Sequence, residues 1–246
     1  MRSQALQGVL RSLRIYHGDP DRELAMDGLH ARFLRAGDLA FDIGAHVGDR
    51  ISSFRRLGAR VVAVEPQPLC HRALRLIHGR DASVRLIQAA VGEVPGRLAL
   101  QVNRANPTVS TASEAFIGSA AGAPGWETQR WDDRIDVAST TLDALIAVHG
   151  VPQFTKIDVE GFELAVLRGL TCALPTLSFE FTTIQREVAV ACVRRMCDLG
   201  QYRFNFALGE SQKLTFAAPV SAAEIEACLL ALPAAANSGD VYATLA

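Results

Sequence analysis

The sequence predicts an α/β fold with a mostly parallel seven-stranded sheet and helices on both of its faces. Three observations predict this class. Short apolar runs alternate with segments of helical period from residue 38 onward, which is the pattern of strands joined by helical crossovers. A turn with two glycines follows the first apolar run. The chain has 246 residues, of which 49% are hydrophobic, and this is enough to form one sizeable core.

The apolar runs are predicted to be buried strands, because parallel strands covered on both faces are continuously apolar. The predicted strands are Leu39–Ile43, Arg60–Val64, Val84–Ala90, Phe154–Val159, Thr176–Phe181, Tyr202–Leu208 and Val241–Leu245, with Ile135–Ser139 as an extra one. Helices are predicted after Gly48, from Pro68 to His78, after a Thr140 or Thr141 cap, from Gly161 to Leu170, and from Ile184 to Leu199. This order predicts right-handed crossovers between parallel strands.

Two segments lie outside the alternating pattern. Residues 1–36 are predicted to form a helical extension, because apolar residues recur there at helical spacing with arginines between them, and residues 37–246 are predicted to form one domain. Residues 103–131 are rich in Gly, Ala, Ser and Pro and carry Trp126 and Trp131. A loop of this length is either a substrate lid or an unstructured excursion, so we expect a mobile insertion.

Composition argues against several classes of partner. The formal net charge of −1 gives no electrostatic basis for binding a nucleic acid. No run of about 18 apolar residues occurs, so no membrane span is predicted. The five cysteines form no CxxC pair, which favours a reduced protein and a cytoplasmic location. His46 lies in the two-glycine turn and is interpreted mainly as a residue that starts the helix, while the other five histidines are scattered. No closed metal-ligand set is visible, so no metal site is predicted, and a divalent metal shared by carboxylates stays open.

The turn after the first strand indicates a nucleoside site. Gly44 allows the chain to turn sharply, Ala45 leaves room for a ligand, and Gly48 lets the next helix approach. Glu65 follows the second strand, where a carboxylate accepts both ribose hydroxyls. The spacing is G-x-x-x-G, and Asp42 would repel a pyrophosphate. The pattern therefore favours the cationic S-adenosylmethionine over a dinucleotide.

A second segment carries carboxylates at the same predicted edge of the sheet. Residues 156–163 read KIDVEGFE and end the fourth core strand, which places Asp158 and Glu160 at the edge where open α/β sheets bind ligands. Glu180 lies near the end of the fifth strand, in the run SFEF. These three carboxylates are therefore candidates for acid–base chemistry.

These motifs together resemble one family. DIGAHVG, VEP, TLD and KIDVEGFELAVLRG occur in this order over residues 37–180, and they resemble the FkbM methyltransferases. The resemblance implies a Rossmann-like class I methyltransferase fold, S-adenosylmethionine as the cofactor, and O-methylation of sugars or secondary-metabolite hydroxyls. It also implies a donor site in which the methionine part, the ribose, the adenine and the sulfonium are contacted in turn. The residues implied for it are Asp42, Gly44, Ala45 and Gly48, then Glu65, then Gln88 and Ala89, and finally Asp158.

The predicted reaction requires a base as well as a donor site. Transfer of a methyl group from sulfur to a hydroxyl oxygen of a small-molecule or glycan acceptor releases a proton, and a nearby carboxylate can take it. Asp158 is the preferred base, with Glu160 and Glu180 as the alternatives. Two other functions remain open at this point: an NAD-type oxidoreductase, and a catalytically inactive scaffold that binds the donor.

Overall fold

The computed structural model describes residues 2–246, and the helices and strands in that range follow the predicted α/β alternation. The helices are α1 Arg2–Tyr16, α2 Pro20–His30, α3 Asp49–Arg56, α4 Pro68–His78, α5 Glu114–Ala120, α6 Leu142–His149, α7 Glu163–Arg168, α8 Arg186–Leu199 and α9 Ala222–Ala231. The strands are β1 Leu39–Ile43, β2 Arg60–Val64, β3 Val84–Ile87, β4 Ala90–Val91, β5 Gly96–Val102, β6 Asp133–Thr140, β7 Phe154–Ile157, β8 Thr176–Thr182, β9 Tyr202–Leu208 and β10 Ser238–Leu245.

The main sheet has seven strands in the order β3-β2-β1-β7-β8-β10-β9. The pairings from β3 to β8 are parallel, whereas β10 runs antiparallel to both β8 and β9. The predicted mostly parallel seven-stranded sheet is therefore confirmed. Because the strands from β3 to β8 share one direction, their carboxyl ends meet at one edge, and the predicted site residues follow those ends.

Helices cover both faces of this sheet, as predicted. Along β1, Phe41 and Ile43 point into one core, which contains side chains of α6, α7, α8 and α9. Ala40 points into the opposite core, which contains side chains of α2 and α3. The alternation follows from the two-residue period of a strand, and it explains why β1 is buried along its whole length.

A second, three-stranded sheet in the order β4-β6-β5 differs from the prediction. Val84–Ala90 is not one strand, because pairing with β2 stops at Ile87 and the chain leaves the main sheet before Ala90 pairs with β6. Strand β5, which the sequence analysis did not predict, pairs with β6 from Gly96 to Val102. This sheet is only partly buried, so its strands lack the continuous apolar runs that marked the core strands.

The N-terminal extension packs onto the domain as two helices. Val9 of α1 is buried against Cys70 and Ala73 of α4, and Leu29 of α2 is buried with Phe54 of α3. Among the described residues, no helix combines the length and the apolar character that a membrane crossing requires.

The segment 103–131 contains local structure that its composition did not predict. It holds a 3₁₀ turn at Pro107–Val109 and helix α5, whose N-cap Ser113 accepts a hydrogen bond from the backbone of Phe116. Phe116 packs edge-on against Trp126 with their ring centroids 5.2 Å apart. The tryptophans therefore contribute to local packing within the segment. Its mobility stays a prediction.

Candidate functional site

The turn after β1 brings the ends of β1 and β7 into contact. Gly44 has φ +85, a conformation that side chains other than glycine rarely adopt. A Cβ atom at this position would lie 1.8 Å from the backbone oxygen of Asp158. The backbone amide of Gly44 donates a hydrogen bond to the carbonyl of Val64 at 2.9 Å. Only glycine therefore lets β1, β2 and β7 converge at this edge.

Gly48 serves the packing of the next helices. Its φ is +87 and it forms the N-cap of α3. A Cβ atom there would lie 2.7 Å from a methyl group of Leu74 and 2.8 Å from Nε2 of His78, both in α4. The second glycine of the motif thus allows α3 and α4 to pack closely, as the sequence analysis expected for the first helix.

A cavity of about 990 Å³, measured out to its open mouth, lies at the carboxyl edge of the sheet. Most of the predicted site residues line it: Asp42, Gly44, Ala45, Glu65, Ala89, Asp158, Glu160 and Glu180. Gly48 lies behind the wall, and Gln88 is exposed outside it. The structure thus brings eight of the ten predicted positions to one cavity, while the roles implied for all ten stay predictions.

Glu65 is held in place by backbone amides. It follows β2 and is 3% exposed. The amide of His46 donates to one carboxyl oxygen at 2.9 Å, and the amide of Gln67 donates to the other at 2.7 Å. Burial raises the pKa of Glu65 to about 8, while these amides lower it. Each oxygen keeps a lone pair free, so the fixed carboxylate can accept two neighbouring hydroxyls.

Asp42 is the second carboxyl of the donor side. It is 1% exposed, and its Oδ2 atom receives no hydrogen bond from the residues that the structure describes. Burial raises its pKa to about 7. A buried acceptor without a donor is costly unless a ligand supplies one, and a cationic ligand would also favour the ionised form.

Lys156 ties the other end of the cavity together. Its side chain is 2% exposed, and Nζ lies 2.9 Å from Asp158 Oδ2 and 2.8 Å from Asp240 Oδ1. Although burial acts in the opposite direction, the lysine charge lowers the pKa of Asp158 below its ordinary value. Asp158 therefore faces the cavity as a carboxylate. The KIDVEGFE motif contains Lys156 but indicates no role for it, and no motif predicted Asp240, which comes from the last strand.

Three further carboxyls surround Asp158. Glu163 is satisfied internally, because its Oε1 atom accepts hydrogen bonds from the amides of Val159 and Gly161. Burial, together with the charge of Asp158, raises the pKa of both Glu160 and Glu180 well above the ordinary value. Asp158, Glu160 and Glu180 each offer one oxygen, and these oxygens all lie within 4.8 Å of one another. The predicted catalytic residues therefore form one cluster.

The outer wall comes from distant parts of the chain. Tyr16 of the N-terminal extension, Arg50 of α3 and Glu210 after β9 all line the cavity. Arg50 contacts Asp49 at 2.7 Å and Glu210 at 3.1 Å. Sequence reasoning missed these residues, since none belongs to a recognisable motif. His46, which was interpreted mainly as a residue that starts the helix, also lines the cavity, with its ring 5.5 Å from that of Tyr16.

The family model described as the methyltransferase FkbM domain matches residues 42–204, which is well over half of the chain. None of the curated proteins matches the chain in sequence.

Several solved structures are similar in fold. A TehB-like methyltransferase from Corynebacterium glutamicum aligns with a TM-score of 0.49 and 10% identity, covering 96% of this chain and 94% of that one. A precorrin-6Y C5,15-methyltransferase from Geobacter metallireducens gives 0.43 and 15%, covering 92% and 87%. Fibrillarin from Aeropyrum pernix, solved with natively bound S-adenosylmethionine, gives 0.44 and 11%, covering 85% and 67%.

The family match spans the glycine turn, Glu65 and the KIDVEGFE segment. These are the elements that form the cavity, and they carry the expected donor-site residues to one edge of a mostly parallel sheet. The chain therefore belongs to the FkbM family and is an S-adenosylmethionine-dependent methyltransferase.

Proposed function

We propose that this enzyme transfers the methyl group of S-adenosylmethionine to a hydroxyl oxygen of a sugar or secondary-metabolite acceptor. The observation that carries this proposal is the acidic cluster at one end of the donor cavity. Asp158, Glu160 and Glu180 lie on its wall, and a hydroxyl acceptor must lose a proton to such a group as it attacks.

The donor lies across the two ends of the cavity in this proposal. Glu65 accepts the two ribose hydroxyls, because backbone amides fix its carboxylate and leave its outer lone pairs free. Asp42 takes the amino group of the methionine part, which supplies the donor that its Oδ2 atom lacks. The sulfonium then points toward Asp158, whose negative charge Lys156 maintains.

The chemistry is an in-line displacement. The hydroxyl oxygen forms a bond to the methyl carbon while the carbon–sulfur bond breaks, and the bonding electrons return to sulfur, which becomes a neutral thioether. The proton of the hydroxyl passes to a carboxylate, for which we assign Asp158. Alignment of the three reacting atoms supplies much of the rate enhancement, and the base contributes about 10²–10⁴-fold.

Two measurements on the same variants test this assignment. Donor affinity is measured by calorimetry, and the single-turnover rate is measured with labelled donor and a panel of sugar and secondary-metabolite hydroxyl acceptors. Both are compared for Asp158→Asn, Glu160→Gln and Glu180→Gln. Asp158→Asn should lower the rate by about 10²–10⁴-fold and change donor affinity much less. A parallel loss of affinity and rate would make Asp158 a binding residue. If only Glu180→Gln lowers the single-turnover rate, the base is Glu180 of β8 rather than Asp158.

The inactive-scaffold alternative is tested by the same panel. A scaffold would bind S-adenosylmethionine as tightly as the enzyme does but would turn over none of the acceptors. The donor assignment itself would be refuted if calorimetry showed tight binding of NAD but no binding of S-adenosylmethionine or of its demethylated product.

A further inference from the structure

The acidic cluster has a geometry that a single base does not require. Asp158 follows β7, Glu160 lies in the turn before α7, and Glu180 lies within β8. One oxygen from each lies within 4.8 Å of the other two. Three carboxylates that converge from separate elements repel one another unless protons or a cation lie between them.

The positive groups nearby are already engaged. The ammonium of Lys156 is shared between Asp158 and Asp240. The guanidinium of Arg50 is bound to Asp49 and Glu210. Within the described part of the chain, one lysine thus lies beside four acidic side chains, Asp158, Asp240, Glu160 and Glu180.

The side chains at this end also lack hydrogen-bond donors. Glu160 is 6% exposed, and its carboxyl receives no hydrogen bond from a described residue, since Thr111 donates only to its backbone oxygen. Oε2 of Glu180 is buried without a partner. The same is true of Asp42 Oδ2, which lines the same cavity on its donor side, in a residue that is 1% exposed. All of these atoms are carboxyl oxygens, which in their ionised form are satisfied by a hydrogen-bond donor or by a cation.

A further oxygen without a partner, from Gln185, lies beside the cluster. The side chain of Gln185 is buried, and its Nε2 atom donates to Ser119, which directs Oε1 the other way. That oxygen has no partner, and the residue borders a small cavity with Glu180 and Glu163. The surplus of acceptors therefore extends around Glu180 as well as in front of it.

We propose that Asp158, Glu160 and Glu180 bind one divalent cation of the hard, oxygen-preferring class, such as Mg²⁺ or Mn²⁺. Carboxylate oxygens are the ligands that these ions prefer, and their remaining positions are filled by water or substrate oxygens. The inference deepens the proposed function and rests on it for the identity of the acceptor. A cation-bound hydroxyl ionises more readily, so the three carboxylates would activate the acceptor through the ion rather than through Asp158 alone.

The site is tested with the metal alone. Mn²⁺ is titrated into the full-length chain, after treatment with a chelator, and binding is followed by calorimetry and by the loss of the free-ion paramagnetic resonance signal. We expect one Mn²⁺ per chain, displaced by Mg²⁺. Glu160→Gln and Glu180→Gln should each weaken binding by at least about 10-fold, because each removes a charged ligand and keeps the shape.

Glu210→Gln is the matched control, since Glu210 lines the same cavity but lies outside the cluster. It should bind Mn²⁺ as the wild type does. Both cluster variants should melt in chelator at or above the wild-type temperature, because each removes a carboxyl that lacks a donor. Mg²⁺ should raise the melting temperature of the wild type and of Glu210→Gln but not that of the cluster variants.

Two results would overturn the inference. One is a wild-type chain that binds no Mn²⁺ in a one-to-one ratio, in which case a proton shared between Asp158 and Glu180 relieves the repulsion. The other is binding that neither cluster variant weakens. Donor affinity measured in chelator separates this failure from that of the proposed function. If the chain binds S-adenosylmethionine but not Mn²⁺, the inferred metal site is refuted and the proposed function stands.

Discussion

Replacement of Lys156 by methionine should destabilise the fold strongly. The change keeps a long unbranched side chain and removes the ammonium that lies 2.9 Å from Asp158 and 2.8 Å from Asp240. Breaking a buried ion pair costs about 3–5 kcal/mol, because a buried charge is left without its partner. Asp158 opens to the cavity and its side chain is 33% exposed, so water screens it and we expect the lower end, about 3 kcal/mol.

The assay is equilibrium unfolding in urea, with the melting temperature as a second readout. For a chain of this size, about 3 kcal/mol corresponds to a fall in melting temperature of about 6–12 °C. Arg97→Met is the control, since it removes an ion pair with Asp136 whose side chains are 63% and 62% exposed. Exposed pairs contribute about 0–1 kcal/mol, so the control should change little.

The double variant Lys156→Met/Asp240→Asn decides the cause. If the loss arises from the carboxylate left unpaired, the double variant should be more stable than Lys156→Met alone, with a coupling of about 0.5–3 kcal/mol. Additive losses would show that the lysine acts through packing. A loss below about 1 kcal/mol for Lys156→Met would refute the reasoning altogether.

Three further predictions follow from the cavity and its surroundings. Gly44→Ala should lower the free energy of unfolding by more than about 2 kcal/mol, since a Cβ atom there meets a backbone oxygen. Gly37→Ala, at φ +90 with nothing within 4 Å, should lose less, and equal losses would contradict this. The donor dissociation constant should fall from pH 6 to pH 8, because Glu65, whose pKa is about 8, binds as the carboxylate. Glu65→Gln should weaken binding by at least about 10-fold and reduce that slope in calorimetry, leaving the part that Asp42, with a pKa of about 7, contributes. A slope equal to the wild type's would remove Glu65 from the site. Limited proteolysis should cut within residues 103–131 first, with slower cutting when a true acceptor is present, and equal rates would leave the segment a passive loop.

The donor side of the site could be predicted from the sequence because its geometry is local. Gly44 and Glu65 directly follow β1 and β2, and adjacent parallel strands must bring their carboxyl ends together. The strand ends place Asp158 and Glu160 on the same edge by the same reasoning. The positions of these residues could therefore be predicted from the order of the strands alone.

The partners of Asp158 could not be predicted in this way. Asp240 is 84 positions from Lys156 along the chain, and its strand reaches the sheet by an antiparallel return. Tyr16 lines the cavity from the N-terminal extension, where helical spacing predicts a helix but not its docking site. The sequence did contain one unused signal, since Ser221 and Glu224 form a capping box that predicts the start of α9.

The two ends of the cavity differ in how their carboxyls are satisfied, and this difference bears on function. Backbone amides hold Glu65 whether or not a ligand is present, so the ribose site is preorganised and binding there requires little rearrangement. In contrast, Glu160 and Glu180 at the other end, and the Oδ2 atom of Asp42 on the donor side, lack donors. Burying such groups costs free energy until a ligand supplies positive charge. Binding of a cationic donor therefore relieves a cost that the folded protein already carries, and the free energy of donor binding should appear partly as a gain in stability.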